Sequence, residues 1–200
     1  MRPFTKRELE LLRKQPYDEA STKKELAIKK FIDGISGFDV KKALAGKPTC
    51  TICGLISGYT GAGSKTVLPK DALAKIDFRL VPNMDPKKLS RNLRVHLDTH
   101  GFKDVEISYS EGEKAKRTLP DEPIARAALE AARNVHERPP VVSISSAGTG
   151  PMYLFRAPCV AIGGGYAFSR SHSPNENTRI DLFLKGMKWV ADTVDRFGAF

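Results

Sequence analysis

The segment AKIDFRLVPNMDPKKL (residues 74–89) contains, in order, the sequence signals of a strand, a turn and a helix start. Apolar residues alternate with charged ones in its first half, which places Ile76, Phe78 and Leu80 on one face of a strand. An aspartate followed by proline at 85–86 then predicts a helix, since aspartate caps free backbone N–H groups and proline fits the first helical position. A half-buried strand that leads into such a helix is typical of a sheet covered by helices.

The sequence on both sides of this segment extends the pattern. Upstream, PTCTICGLISGYT (48–60) is rich in β-branched residues and predicts a strand, which a glycine loop separates from the next one. Downstream, DVEISYSEGE (104–113) alternates again and predicts a further strand, while residues 5–45 predict interrupted helices. The order strand, strand, helix, strand therefore predicts an open-faced sandwich, a sheet with helices on one side.

From about residue 118 the pattern changes to alternating helix and strand. The segments 122–137 and 178–197 predict amphipathic helices, and the second carries a continuous apolar stripe. Between them, PPVVSISSAG (139–148) and CVAIGGG (159–165) predict buried strands. Such alternation predicts a parallel sheet covered by helices, with a binding site formed by the loops that follow the strands.

Composition restricts the class of protein. With 40% hydrophobic residues in 200, the chain is long enough to bury a core. No apolar stretch approaches the roughly 20 residues of a membrane span, and the N-terminus lacks the pattern of a secretory signal, so we expect a cytoplasmic protein. Three cysteines, an odd number, also favour a reducing compartment. We interpret Cys50 and Cys53 as buried strand residues, because a structural zinc site needs a second ligand pair.

The formal charge of +10 raises the hypothesis of a nucleic-acid-binding protein. Most of the excess lies in residues 1–117, as scattered lysines on predicted helices, and few aromatic residues are available there for stacking on bases. We therefore expect solvated helix faces, and binding of nucleic acid is not the favoured interpretation.

Two motifs resemble known sites only in part. GYTGAGSKT (58–66) approaches a phosphate-binding loop, but Ser64 is inserted before the lysine and the loop leads into a strand instead of a helix. In VHLDTHG, His96 and Asp98 point about 200° apart on a helix and cannot share a metal. We also expect His136, near a helix end, to be a surface residue.

His172 has a different setting. It lies in SHSPNE (171–176), in a loop between a predicted buried strand and the last helix. A loop histidine at that position is either a structural residue or a metal ligand or catalytic group, and the residues themselves leave both interpretations open.

Four stretches carry a family resemblance: GYTGAGSKTVLP, KIDFRLVPNMDP, the turn SAGTGP, and SHSPNE with its following helix. Together they resemble the second half of the co-catalytic metallopeptidases, a family of cytosolic dipeptidases (carnosinases), aminoacylases, acetylornithine deacetylases and succinyl-diaminopimelate desuccinylases. The dipeptidase branch is the most similar.

The resemblance implies two domains. Residues 1–117 would be the later part of a ferredoxin-like lid that also forms a homodimer, and residues 118–200 the last part of an α/β zinc-peptidase catalytic domain. His172 would ligate one of two zinc ions, with manganese or cobalt as alternatives. The residues expected to bind the substrate, a peptide or N-acyl amino acid, are Thr66, Arg79, Gly148 and Thr149.

The resemblance also implies that most of the site is missing. In the family, the other metal ligands and the glutamate that acts as general base precede the region matched here, so no catalytic residue is predicted in this chain. We expect an inactive fragment of a metal-dependent hydrolase. The alternative is a non-catalytic dimerisation or binding module derived from such a peptidase.

Overall fold

The computed structural model describes residues 3–110, 112–146, 148–166 and 168–199, which form two compact units. Unit 1 comprises Gly46–Ala115, and unit 2 comprises Pro3–Ala45 together with Lys116–Phe200. In chain order the elements are α1 (Lys6–Lys14), α2 (Glu19–Glu25), a 3-10 turn (Ile32–Gly34), α3 (Phe38–Gly46), β1 (Thr49–Ser57), β2 (Ala72–Arg79), α4 (Pro86–Thr99), α5 (Pro123–His136), a 3-10 turn (Pro151–Leu154) and α6 (Ile180–Gly198).

This division differs from the predicted domains 1–117 and 118–200. The observed boundary between Ala115 and Lys116 lies within a few residues of the predicted one. The N-terminal helices, however, group with the C-terminal part of the chain. The reason is a shared core: Leu11 and Leu12 of α1 are buried together with Ala45 and with Ile144 of the C-terminal region. Burial of apolar side chains from both ends of the chain makes them one unit.

Within unit 2, a buried ion pair also joins helix α1 to the C-terminal part of the chain. Arg117 Nη1 lies 3.3 Å from Glu8 Oε1, with side-chain exposures of only 8% and 1%. The same arginine donates to the carbonyl of Ala45. Glu8 also completes the capping box of α1, in which Thr5 N donates to Glu8 Oε2 over 2.8 Å. One carboxylate thus starts a helix and fastens it to a distant segment.

Unit 1 contains an antiparallel pair of strands. Residues 49–57 pair with 72–79, and a bulge interrupts the register between Ile52 and Gly54. Leu80, expected on the same strand face, lies just after β2. Cys50 and Cys53 are both exposed on β1, so the prediction that they are buried is wrong, because nothing within the described part of the chain covers these positions.

Helix α4 begins as the sequence predicts. Asp85 is its N-cap and accepts from Lys88 N over 3.1 Å, and Pro86 occupies the first turn. The pKa of Asp85 is lowered, chiefly by that backbone N–H, which stabilises the charged carboxylate.

The mixed α/β class is confirmed, but several predicted strands are not formed. In the described residues, the segments 104–110, 140–146 and 158–166 contain no strand. A strand needs a hydrogen-bonded neighbour, and here side chains satisfy the backbone instead. Gln15 Nε2 donates to Val142 O over 2.9 Å, and Thr118 Oγ1 accepts from Cys159 N over 2.8 Å. The expected open-faced sandwich therefore contains two strands, and the expected parallel sheet is not present among these residues.

Helices α5 and α6 pack against each other in unit 2. Ala127 and Ala131 of α5 are fully buried, and Trp189 Nε1 of α6 donates to Ala128 O over 2.8 Å. The face of α6 turned inward carries Gly186 and Thr193. Small residues on both helices allow a close approach.

The apolar stripe of α6 lies beside this face and is exposed. Its seven large side chains are each at least 46% accessible. They are Ile180, Phe183, Leu184, Met187, Val190, Val194 and Phe197. The predicted apolar residues do lie along one helix, but no described residue covers them.

No helix among the described residues is both long and apolar enough to cross a membrane.

Candidate metal ligand and substrate-binding residues

The loop that carries His172 is closed by a single asparagine. Asn177 N donates to Ser169 O over 3.0 Å, and its side-chain Nδ2 donates to Phe168 O at 3.3 Å and to Asn175 O at 3.0 Å. Tyr166 Oη donates to Asn177 Oδ1. These bonds connect both ends of the loop, so that residues between them are held in a fixed turn.

His172 lies within this turn on an unusual backbone. Its φ is +62°, and Arg170 and Asn175 have φ values of +53° and +63°. Such left-handed positions are uncommon for residues with a side chain and persist where surrounding contacts enforce them. Ser173 makes such contacts: its N and Oγ both donate to Arg170 O, at 3.0 and 2.7 Å.

The imidazole of His172 is accessible. The residue is exposed, and no hydrogen bond or ion pair joins it to another residue that the structure describes. An exposed imidazole on a constrained loop suits a metal ligand, because a neutral ring nitrogen is a common donor to zinc.

A complete metal centre needs more than this. Protein zinc sites use three or four ligands. Within residues 3–110, 112–146, 148–166 and 168–199, no group of three histidine, cysteine, aspartate or glutamate side chains could hold an ion. His172 alone therefore does not fit a complete zinc site.

The turn SAGTGP leads into the second 3-10 turn, which begins at its last residue, Pro151. Gly148 N donates to Ser146 Oγ over 3.1 Å, so this N–H already has an acceptor, while Gly148 and Thr149 are both exposed. Ala147, part of the turn expected from the family resemblance, lies outside the described residues. A threonine hydroxyl beside a glycine backbone is a reasonable contact for a carboxylate or a carbonyl oxygen.

Thr66 and Arg79 lie in unit 1, whereas Gly148, Thr149 and His172 lie in unit 2. Thr66 is exposed in the loop before β2, outside either strand. Arg79 is the last residue of β2, and its Nε donates to Asp77 Oδ2 over 2.8 Å, with both side chains about half exposed. Part of its guanidinium fork is therefore occupied by a neighbouring carboxylate.

His96 and Asp98 both lie on α4, where each is in contact with other residues of that helix or its C-cap. Asp98 is paired with Arg94 at 2.7 Å, and His100 Nδ1 lies 2.7 Å from His96 O. These contacts are structural.

One group of residues was not predicted from the sequence. These residues line a pocket of 430 Å³ in unit 2. Its polar lining comes from the end of α5, the segment after it, and the start of α6, and consists of His136, Arg138, Tyr166, Arg179, Asp181 and Lys185. His136, expected at the surface, is only partly exposed and packs edge-on against Trp189, with ring centroids 5.3 Å apart. No sequence signal joins these cations, because tertiary packing brings them together.

Comparison with known proteins shows which proteins this chain is similar to. The sequence profile described as "Peptidase family M20/M25/M40" matches residues 15–196. A Cys-Gly metallodipeptidase, dug1 of Schizosaccharomyces pombe, is 34% identical over 50 residues, which is 25% of this chain and 10% of that protein. The Beta-Ala-His dipeptidase of Rattus norvegicus is 28% identical over 102 residues, 49% of this chain and 20% of that protein.

Solved structures show the same fold. An M20 family metallo-carboxypeptidase, Sso-CP2 from Sulfolobus solfataricus, is 37% identical and superposes with a TM-score of 0.87 over 100% of this chain. Human carnosine dipeptidase 1 superposes with a TM-score of 0.73 at 22% identity, which shows the fold alone. This chain covers 46% and 43% of those two chains, less than half of each.

Proposed function

Because the chain belongs to peptidase family M20/M25/M40, we propose that it supplies one metal ligand and part of the substrate-binding surface of a metal-dependent dipeptidase-like peptidase or amidohydrolase. The observation that carries the proposal is His172, an exposed imidazole with no other partner in the described chain, presented on a loop fixed by Asn177. The metal we propose is zinc, two ions in the complete enzyme, with manganese or cobalt as alternatives.

The remaining metal ligands and the general base are proposed to lie outside this chain. One imidazole does not hold a zinc ion on its own, so we expect no hydrolysis from the isolated chain. The exposed apolar stripe of α6 supports this part of the proposal, because such large contiguous apolar surfaces are typical of faces that another segment or protein covers.

The substrate we propose is a peptide or N-acyl amino acid. The residues proposed to contact it are Thr66, Arg79, Gly148 and Thr149, as the family resemblance implies. Arginine suits a terminal carboxylate because its planar fork donates two parallel hydrogen bonds. For Arg79, the existing bond to Asp77 would compete with that role.

Two further parts of the proposal concern assembly and location. We propose a homodimer formed through unit 1, which sedimentation of the purified chain would test by its mass. We also propose a cytoplasmic location, which fractionation of expressing cells would test.

The central experiment is complementation. The chain would be co-expressed with the upstream portion of an M20 metallopeptidase, and the purified mixture assayed for bound zinc and for dipeptide hydrolysis. His172→Ala should remove both, whereas His100→Ala, which alters an exposed α4 histidine, should leave both unchanged.

Three other outcomes would change the conclusion. Stoichiometric zinc and hydrolysis by the isolated chain would show that the ligands are not missing. Equal activity of the His172→Ala and unaltered complexes would remove His172 from the metal site. Stable association with the upstream portion but no hydrolysis would favour the second candidate, a non-catalytic module, for which the lack of a three-ligand group among the described residues is the supporting observation.

A further inference from the structure

The pocket between the end of α5 and the start of α6 carries uncompensated positive charge. Arg179 is bound to Asp181 through two bonds, Nε to Oδ1 at 3.0 Å and Nη2 to Oδ2 at 2.6 Å, so these two charges offset each other. Arg138 and Lys185 line the same pocket and have no carboxylate partner in the part of the chain that the structure describes. Among the described residues, these two cations therefore line the cavity without a carboxylate partner of their own.

The same two cations act on His136, which also lines the pocket. Its pKa is lowered, first because the ring is partly buried and then because the charges of Lys185 and Arg138 disfavour a third positive charge. The other groups that face the ring or line the pocket are the neutral Trp189, Tyr166 and the mutually paired Arg179 and Asp181. The imidazole is therefore neutral near pH 7 and becomes a further cation in acid.

We propose that this pocket binds a small dianion of the sulfate or phosphate class, held between Arg138 and Lys185 and beside His136. Arginine would provide paired N–H donors and lysine a compact charge, the combination that recognises tetrahedral oxyanions. The start of α6 adds the positive end of its helix dipole on the same side. The volume of 430 Å³ accommodates a phosphate group with an attached small molecule. This proposal does not depend on the peptidase function.

The site should bind more tightly in acid. A bound dianion stabilises the protonated imidazole and so raises the pKa of His136. By linkage, protonation of His136 must strengthen anion binding to the same extent. Affinity for a ligand of constant charge should therefore increase as the pH falls through the titration of His136 and level off below it.

Sulfate is the probe of choice because its charge does not change over this range. We would titrate the full chain with sulfate at about pH 8 and about pH 5.5, and follow the ring signals of His136 and the indole signal of Trp189 by NMR. The expected dissociation constant is on the order of millimolar at pH 8. It should be lower at pH 5.5, and His136→Gln should remove that pH dependence.

Matched variants test the location. Arg138→Gln and Lys185→Gln should each weaken sulfate binding about threefold, and the double variant should weaken it about tenfold because the two effects add. Both side chains are exposed, so their replacement should leave the fold unchanged. Lys188→Gln changes an exposed lysine of the same helix outside the pocket lining and should have no effect. Equal binding by the double variant and Lys188→Gln would overturn the proposal.

The charge of the ligand is tested separately. Inorganic phosphate at pH 8, where it is a dianion, should compete with sulfate for the pocket. Acetate should bind at least about threefold more weakly because it has a single charge. Equal affinity for acetate and sulfate, or an affinity for sulfate that does not rise in acid, would show that the pocket is not a dianion site.

Discussion

Glu8 shows how much a single residue can decide in this chain. Its carboxylate is 1% exposed, closes the capping box of α1 and pairs with Arg117. Among the residues that the structure describes, Arg117 Nε has no hydrogen-bond partner. A buried ion pair is costly to break because the remaining charge stays desolvated.

Glu8→Ala should lower the free energy of unfolding by about 3 kcal/mol, because it leaves the Arg117 guanidinium buried without its carboxylate. Urea denaturation would measure this. The control is Glu10→Ala on the same helix, whose pair with Arg7 is about half exposed and should contribute less than about 0.5 kcal/mol. Equal losses in the two variants would mean that the buried pair does not fasten α1.

His136 illustrates the limit of sequence reasoning at this scale. Its position before two prolines predicts a surface residue, yet it is packed against Trp189, which is far away in sequence. Which residues become neighbours across such a separation depends on how the helices pack, and no local pattern encodes it.

Among the elements, the glycine run after residue 162 brings its segment close to a helix. The sequence predicts this run as the end of a buried strand. In the structure, a Cβ on Gly164 would lie 2.5 Å from Leu182 O, and one on Gly186 would lie 3.0 Å from Gly164 N. The close approach is therefore between this segment and α6.

Gly164→Ala should destabilise the chain by about 1 to 3 kcal/mol, because the added methyl group would collide with helix backbone that cannot rotate away. Gly165→Ala is the matched control, since a Cβ there meets no atom of the described residues within 4 Å. Thermal unfolding of both variants would compare them. If the two variants unfold at the same temperature, the segment does not pack against α6 as described.

At the scale of the whole molecule, unit 2 buries the small residues between α5 and α6 and exposes the large ones. The apolar stripe of α6 is the principal example, since Phe183 and Met187 are 55% and 56% accessible. Exposed apolar faces of this kind make association and dye binding favourable.

Replacing Phe183 and Met187 together by glutamine should change the free energy of unfolding of the isolated chain by less than about 0.5 kcal/mol, because neither side chain is in a core. Binding of a hydrophobic dye such as anilinonaphthalene sulfonate should fall. Ala127→Gln, at a fully buried position of α5, should instead cost about 2 kcal/mol or more. A large loss in the stripe variant would place those residues in a core after all.

The sequence by itself determined the mixed α/β class, the positions of α1, α4, α5 and α6, and the motifs through which the family is recognised. Helices satisfy their backbone hydrogen bonds within a few residues, so local spacing and caps such as Asp85 are sufficient to predict them. The pair β1 and β2 was also predictable, because both segments carry a strand pattern and follow each other in the chain, joined by the glycine-containing loop 58–71.

Only the tertiary structure decided that residues 3–45 pack with the C-terminal region, that three predicted strands remain unpaired among the described residues, and which face of α6 is covered. Strand formation and burial depend on what lies alongside a segment in space. An apolar pattern indicates that a segment has a face to be covered, but it does not indicate which other segment will cover that face.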